Sequence, residues 1–146
     1  MFNENRELSI TRLLNAPIDL VWKVFTEPEH IKNWWGPSGF SNTISEMNVE
    51  PNGAWEFVMH SPDGTDYKNK HIYHEIVKHN KIVLDHVTAP KFRLTMTFEA
   101  QGDKTFLSWH SVFESAGQLQ HVIKVFKANE GMKQNIQRLE EYLATL

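Results

Sequence analysis

The sequence predicts an α+β fold: a curved antiparallel sheet of six to seven strands wrapped around a long C-terminal helix, with two short helices after the first strand. Three observations carry this. Between residues 40 and 113, apolar residues alternate with polar ones at period two, punctuated by turn signals. From Gln118 to Leu146 the apolar positions 122, 125, 126, 132, 136, 139 and 143 form a stripe at helical period. Between the first strand and the sheet, Pro17 and Pro28 each open a short apolar run, and the second closes on Trp34-Trp35-Gly36-Pro37.

The elements follow in order. Arg6 to Asn15 reads as a strand, with Leu8, Ile10 and Arg12 alternating against Ser9, Thr11 and Leu13. Pro17 suits the first position of a helix, where its missing N–H leaves nothing unpaired. Val21, Val24 and Phe25 follow at helical spacing, with Trp22 beside Phe25, and Pro28 stops the run near Thr26. Glu29 to Trp34 reads as a second short helix, ended by Gly36-Pro37 and followed by a Ser38-Gly39 loop.

Phe40 to Val49 is a strand, Pro51-Asn52-Gly53 a turn, and Ala54 to His60 the returning strand. Ser61-Pro62-Asp63-Gly64 is the clearest hairpin turn of the chain. Tyr67 to Val77 is a long strand, His79-Asn80 a tight turn, and Lys81 to Val87 returns. After the break at Ala89-Pro90, Phe92 to Glu99 and Thr105 to Phe113 pair across Gln101-Gly102-Asp103. The final stripe predicts one helix, interrupted at Gly131 at a cost of up to ~1 kcal/mol relative to alanine. Short hairpin loops make the strands meander. A single long helix must bury its stripe against the inner face of the sheet, and a half-closed sheet of this kind leaves a cavity between that face and the helix.

Composition narrows the function. The 146 residues suit one domain, residues 1–146, which buries roughly 70% of the surface its unfolded chain exposes. The net charge of −3 comes from interspersed acids and bases, and no Lys/Arg cluster marks a nucleic-acid footprint. Cysteine is absent, which excludes disulfides, thiol nucleophiles and cysteine-based metal sites and fits a reducing cytoplasm. The N-terminus lacks an apolar signal segment, and no apolar run approaches the ~18 residues of a membrane span. The expectation is a cytoplasmic protein with no membrane span, no nucleic-acid partner and no cofactor.

The residues with chemical potential divide between packing and function. Trp34 and Trp35 either cap the core or, with the Gly36 to Gly39 loop, gate a pocket mouth. Trp55, Phe57, Met59, Leu94, Met96, Leu107 and Trp109 face the helix, as core or as pocket lining. Phe126 and Met132 join that lining from the helix stripe. Tyr73 and Glu75 share one face of the long strand. If it is concave, Glu75 is a carboxylate in an apolar cavity, suited to acid/base work or to a ligand hydrogen bond; otherwise it is an ordinary strand glutamate. Of eight histidines, His86 and His110 are the candidate polar pocket residues. His71 and His74 point to opposite strand faces, no metal-binding helix motif occurs, and a metal site is not expected. No nucleophile elbow or phosphate-binding glycine loop is present.

The order of elements, together with particular residues, resembles the START-like helix-grip superfamily (SRPBCC), in the branch of the activator of 90-kDa heat-shock-protein ATPase homologues. The carrying residues are Ala16-Pro17, Val21-Trp22, Phe25-Thr26, Pro28 and Trp34-Trp35-Gly36-Pro37. Pro51, Gly53, Trp55 and Phe57 continue the pattern, with Pro62-Asp63-Gly64, Tyr73, Glu75-Ile76, Lys104-Thr105, Phe113-Glu114-Ser115, Gly131-Met132, Leu139 and Leu143. Asn52 stands where the family usually has the first of two glycines, and asparagine tolerates the left-handed backbone such a turn needs. The superfamily includes lipid and hormone binders, polyketide cyclases and chaperone-activating domains. The resemblance implies a helix-grip fold with a ligand cavity. The leading expectation is a domain binding a small apolar or aromatic molecule or lipid. Two alternatives stay open: an enzyme of cyclase, dehydratase or hydrolase type using Glu75, and a protein-interaction module.

Overall fold

The computed structural model describes residues 6–146. Strand β1 (Glu7–Leu14) is followed by helices α1 (Ile18–Thr26) and α2 (Pro28–Ile31). Then come β2 (Ser41–Met47), β3 (Ala54–His60), β4 (Asp66–Val77), β5 (Lys81–His86), β6 (Phe92–Gln101) and β7 (Lys104–Phe113). The chain ends in α3 (Ala116–Phe126) and α4 (Ala128–Leu143). All seven strands form one antiparallel sheet in the order β1-β7-β6-β5-β4-β3-β2. Each neighbour within the meander is joined by a short turn, and β1 closes the row by pairing with the last strand, Ile10 opposite Trp109. This is the α+β helix-grip arrangement the sequence predicts.

Turn chemistry explains the hairpins. Asn52 takes the left-handed backbone at φ 69°, as its place in the Pro51-Asn52-Gly53 turn requires. Gly53 cannot be replaced, because a Cβ there would lie 2.0 Å from the Asn48 carbonyl oxygen. Gly64 at φ 90° closes the β3–β4 hairpin.

The inner faces of the strands and the buried stripe of α4 form one apolar cluster. It holds Trp55, Phe57 and Tyr73 from β3 and β4, Met96 and Phe98 from β6, Leu107 and Trp109 from β7, and Ile136, Leu139 and Leu143 from α4. Helix α1 adds Val21, Trp22, Val24 and Phe25. A buried bond from Thr105 Oγ1 to the Ala16 carbonyl (2.9 Å) ties the turn after β1 to the start of β7.

Two expectations change. The C-terminal helix is two helices, and the break lies at Lys127 rather than Gly131. Lys127 adopts the left-handed conformation (φ 53°, ψ 48°), capping α3 and opening α4. The cost is about 1–2 kcal/mol for a residue with a Cβ. The break lets α3 rest Leu119 and Val122 on Phe113 while α4 follows a different line across the main core. Gly131 stays helical, and the close approach it permits is to the Pro37 ring, 3.4 Å from where its Cβ would be.

The second change concerns the Trp34-Trp35 segment, which lies beyond α2 as a turn with both tryptophans buried. Trp34 Nε1 donates to the Val24 carbonyl (3.0 Å), fixing the indole against α1. The following loop is tied down from α4. The Arg138 guanidinium donates to the carbonyl oxygens of Asn33, Trp35, Gly36, Pro37 and Phe40 at 2.9–3.2 Å. Asn42 Nδ2 adds bonds to the Lys32 and Trp35 carbonyls.

Removing this guanidinium takes a donor from five carbonyls at once; Trp35 keeps its bond from Asn42 and Pro37 its bond from the Phe40 N–H, while the partly buried Gly36 and Phe40 carbonyls lose the donor that Arg138 supplies. Arg138→Ala should lower stability by roughly 2–4 kcal/mol in urea unfolding. Arg138→Lys should recover only a minor part, because an ammonium cannot span five acceptors in one plane.

Candidate functional site

The concave face carries an unbroken row of rings across five strands. Trp55 of β3 lies directly opposite His71 of β4. His71 opposes His86 of β5, His86 opposes Phe92 of β6, and Phe92 opposes Phe113 of β7. Successive ring centroids are 4.7, 5.1, 4.7 and 5.0 Å apart. Directly opposed inward residues on neighbouring strands must meet in this way, so the row is a consequence of register. Trp35 covers one end, 4.8 Å from Trp55 and 5.9 Å from His71. Leu119 and Val122 of α3 cover the other end, over Phe113 and Phe92.

Polar atoms interrupt this apolar surface. His86 Nδ1 donates to the Pro90 carbonyl (2.7 Å), and Nε2 lies 2.7 Å from Asn69 Oδ1. The Asn69 amide is oriented by its own bond to the Tyr67 carbonyl (3.0 Å). Burial is the larger influence and places its pKa below the usual histidine value, against the opposing pull of hydrogen bonds to the Pro90 and Thr88 backbone. His71 is fully buried, and desolvation, with the neighbouring His86, drives its pKa well down. Trp55 Nε1 and His71 Nδ1 are buried on this face without hydrogen-bond partners; elsewhere among the described residues so are Arg6 Nε, Asn42 Oδ1 and Asn135 Oδ1. Such groups each cost roughly 1–3 kcal/mol. Burial also raises the Tyr73 phenol above its ordinary range.

Most residues expected at the site lie on this face or beside it. Trp35, Trp55, Phe57, Tyr73, Met96 and Trp109 are buried in the main cluster, and Met59 and Met132 pack at its edge. Trp35 stacks on Trp109 at 5.3 Å, and Trp55 on Phe57 at 4.6 Å, so these side chains fill much of the space between sheet and α4. Two surface clefts stand out. One, of about 400 Å³, opens where β5, β6 and β7 meet, lined by Arg6, His86, Val87, Lys91, Phe92 and Phe113. The other, of about 540 Å³, lies between α1 and the β4–β5 turn, around Trp22, Lys23 and His79. Of the expected site residues, only His86 lines either cleft.

Three expected positions are corrected. Glu75 does not share a face with Tyr73, because the register shifts between them and inserts His74 as an extra residue in β4. Glu75 is turned outward and pairs with Lys81 at 3.4 Å, its side chain 45% exposed. Phe126 precedes the left-handed Lys127 and is exposed at 56%, off the stripe that α4 buries. His110 lies on the outer face, bonded to Glu7. The loop expected to gate the pocket is the one Arg138 holds.

Four contributors were missed. His71 was readable in part, since period two puts it on the Tyr73 face. Phe92 and Phe113 join it only through register. Arg138 gives no sequence signal, being a single polar residue on a helix whose partners are distant in sequence. Among the described residues no group of three or more His, Asp or Glu could hold a metal ion. No described helix is long and apolar enough to cross a membrane.

A family model described as Activator of Hsp90 ATPase homolog 1-like protein matches residues 15–144. No curated protein matches the chain. Solved structures do. The chain is similar to a protein of Arthrobacter aurescens, with a TM-score of 0.91 and 22% identity, over 100% of this chain and 90% of that one. A Nitrosomonas europaea protein aligns with a TM-score of 0.87 and 24% identity, over 99% and 97% of the two chains. A Mycobacterium smegmatis protein gives 0.86 and 21%, over 99% and 94%. Identities at this level speak for the shared fold alone.

The buried histidines make stability pH-dependent. Both have folded pKa values below the unfolded value near 6.5, so the unfolded chain binds more protons there. Their contribution is complete above pH 6.5 and is lost as pH falls toward the folded values. Urea midpoints should therefore decline from pH 6.5 to 5, and His71→Phe should flatten that decline.

Proposed function

Because the chain belongs to the Activator of Hsp90 ATPase homolog 1-like family, we propose that it is a small-molecule-binding domain, holding an apolar or aromatic ligand between the concave face of its sheet and its C-terminal helices. The observation that carries this reading is the row Trp55, His71, His86, Phe92 and Phe113, a surface of ring faces and edges with unpartnered polar atoms at its inner end. Ligand sites combine an apolar wall with a few polar groups in this proportion.

The cleft at His86, Phe92 and Phe113 is the way in. Its volume of about 400 Å³ falls within the ~300–1,000 Å³ usual for small-molecule pockets. Helix α3 is the element that moves. It rests on the sheet through the small cluster of Phe113, Leu119 and Val122, and it joins α4 through a single left-handed residue. Lifting it uncovers the row toward Trp55. Phe57, Met59, Tyr73 and Met132 then flank the ligand, while Met96 and Trp109 pack beneath them. An acid/base role for Glu75 has no place in this reading, since the carboxylate is on the opposite face. The absence of cysteine suits work in the cytoplasm.

Titration with 1-anilinonaphthalene-8-sulfonate and with 2-methylnaphthalene should show saturable one-site binding. Amide shifts should concentrate on the row and on α3, and tryptophan fluorescence should be quenched. Shifts confined to the cleft at Trp22 and His79, or no saturation by either compound, would remove the reading.

A further inference from the structure

The inner end of the ring row holds two buried polar atoms with no partner among the described residues, Trp55 Nε1 and His71 Nδ1, and their chemistry is complementary. Trp55 Nε1–H can only donate. His71 Nδ1 accepts when the ring carries its proton on Nε2. Trp55 and His71 are directly opposed across β3 and β4, with ring centroids 4.7 Å apart, so the two unpartnered nitrogens belong to one adjoining pair of rings. Trp35 stands over the pair and offers an aromatic wall to whatever carries that group. A hydroxyl is the smallest ligand group that both accepts from an indole N–H and donates to an imidazole nitrogen.

We propose that the inner end of the concave face receives a neutral hydroxylated aromatic molecule, whose hydroxyl oxygen accepts a hydrogen bond from Trp55 Nε1 and whose O–H donates one to His71 Nδ1. This rests on the ligand-binding reading above and names the ligand's class. Neutrality follows from the surroundings. The rings facing His71 are Trp35, Trp55, Phe57 and His86, none of which offers a fixed countercharge. Burial keeps His71 itself uncharged at neutral pH. An ionised headgroup would lose its water there without compensation.

The test compares 2-naphthol with its near-isostere 2-methylnaphthalene on the full chain, by fluorescence titration and by ¹H–¹⁵N spectra. The expected result is 2-naphthol binding about tenfold tighter or more, since the methyl analogue leaves the buried nitrogens unpaired. The Trp55 indole N–H resonance should move downfield with the naphthol only. Trp55→Phe should keep the ring, retain 2-methylnaphthalene binding and abolish the preference. His71→Phe should do the same. If a variant fails to fold, the Trp55 indole resonance of the unaltered chain decides.

Equal affinity for the two compounds overturns the hydroxyl assignment while leaving the apolar site standing, with water serving the nitrogens. So does a preference that survives Trp55→Phe. Binding of neither compound removes this inference and the ligand-binding reading together.

Discussion

One guanidinium holds the two ends of this fold in register. Arg138, on α4, gathers five carbonyl oxygens from the segment between Asn33 and Phe40. That segment has no regular secondary structure to pair its backbone, so its acceptors must be met from elsewhere. With one side chain meeting five of them, the segment acquires a defined path, and Trp35 is set down between Trp55 and Trp109. The position of α4 over the sheet and the position of the tryptophans over the ring row are therefore one constraint. Two further links support it from either side: Arg12 to Glu140 at 2.8 Å, and His30 Nδ1 to the Tyr142 hydroxyl at 2.6 Å.

The concave face beneath this clamp departs from an ordinary core in a specific way. A row that began and ended in aromatic residues could have been apolar throughout, and such a core would be the more stable one. Instead two histidines occupy its middle, one wholly buried, with an indole N–H left unmatched beside them. Buried polar groups without partners oppose folding, and the adjacent unpartnered nitrogens of Trp55 and His71 are the feature a packing argument alone does not account for. The helices divide along the same axis. Near Trp35 the row is closed by a segment anchored through many hydrogen bonds. Near Phe113 it is closed by α3, which buries Leu119 and Val122 but leaves Val125 and Phe126 exposed. A structure firm at one end and lightly covered at the other favours motion at the second.

The differences between expectation and structure share a cause. Period-two reasoning assigns faces correctly as long as a strand has no extra residue. On β3, β6 and β7 the alternation runs unbroken, and Trp55, Met96 and Trp109 point where the pattern places them. On β4 the shift at His74 reverses the parity, so that Tyr73 is buried while Glu75 meets Lys81 outside. Helical periodicity failed in the same manner. The stripe from Val122 to Leu143 reads as continuous, yet a single left-handed residue at Lys127 resets its phase and exposes Phe126. Gly131, the conspicuous candidate for an interruption, is helical.

From residue order alone came the strand and helix sequence, the turns at Asn52-Gly53 and Asp63-Gly64, the burial of the tandem tryptophans and the helix-grip arrangement, because each of these follows from local backbone preference and the need to bury one face. Tertiary structure decided the rest: the bulge in β4, the break between α3 and α4, the reach of Arg138 and the alignment of Trp55, His71, His86, Phe92 and Phe113 into one row. Those depend on register between strands and on contacts across some hundred residues of chain, where no neighbouring residue announces its partner.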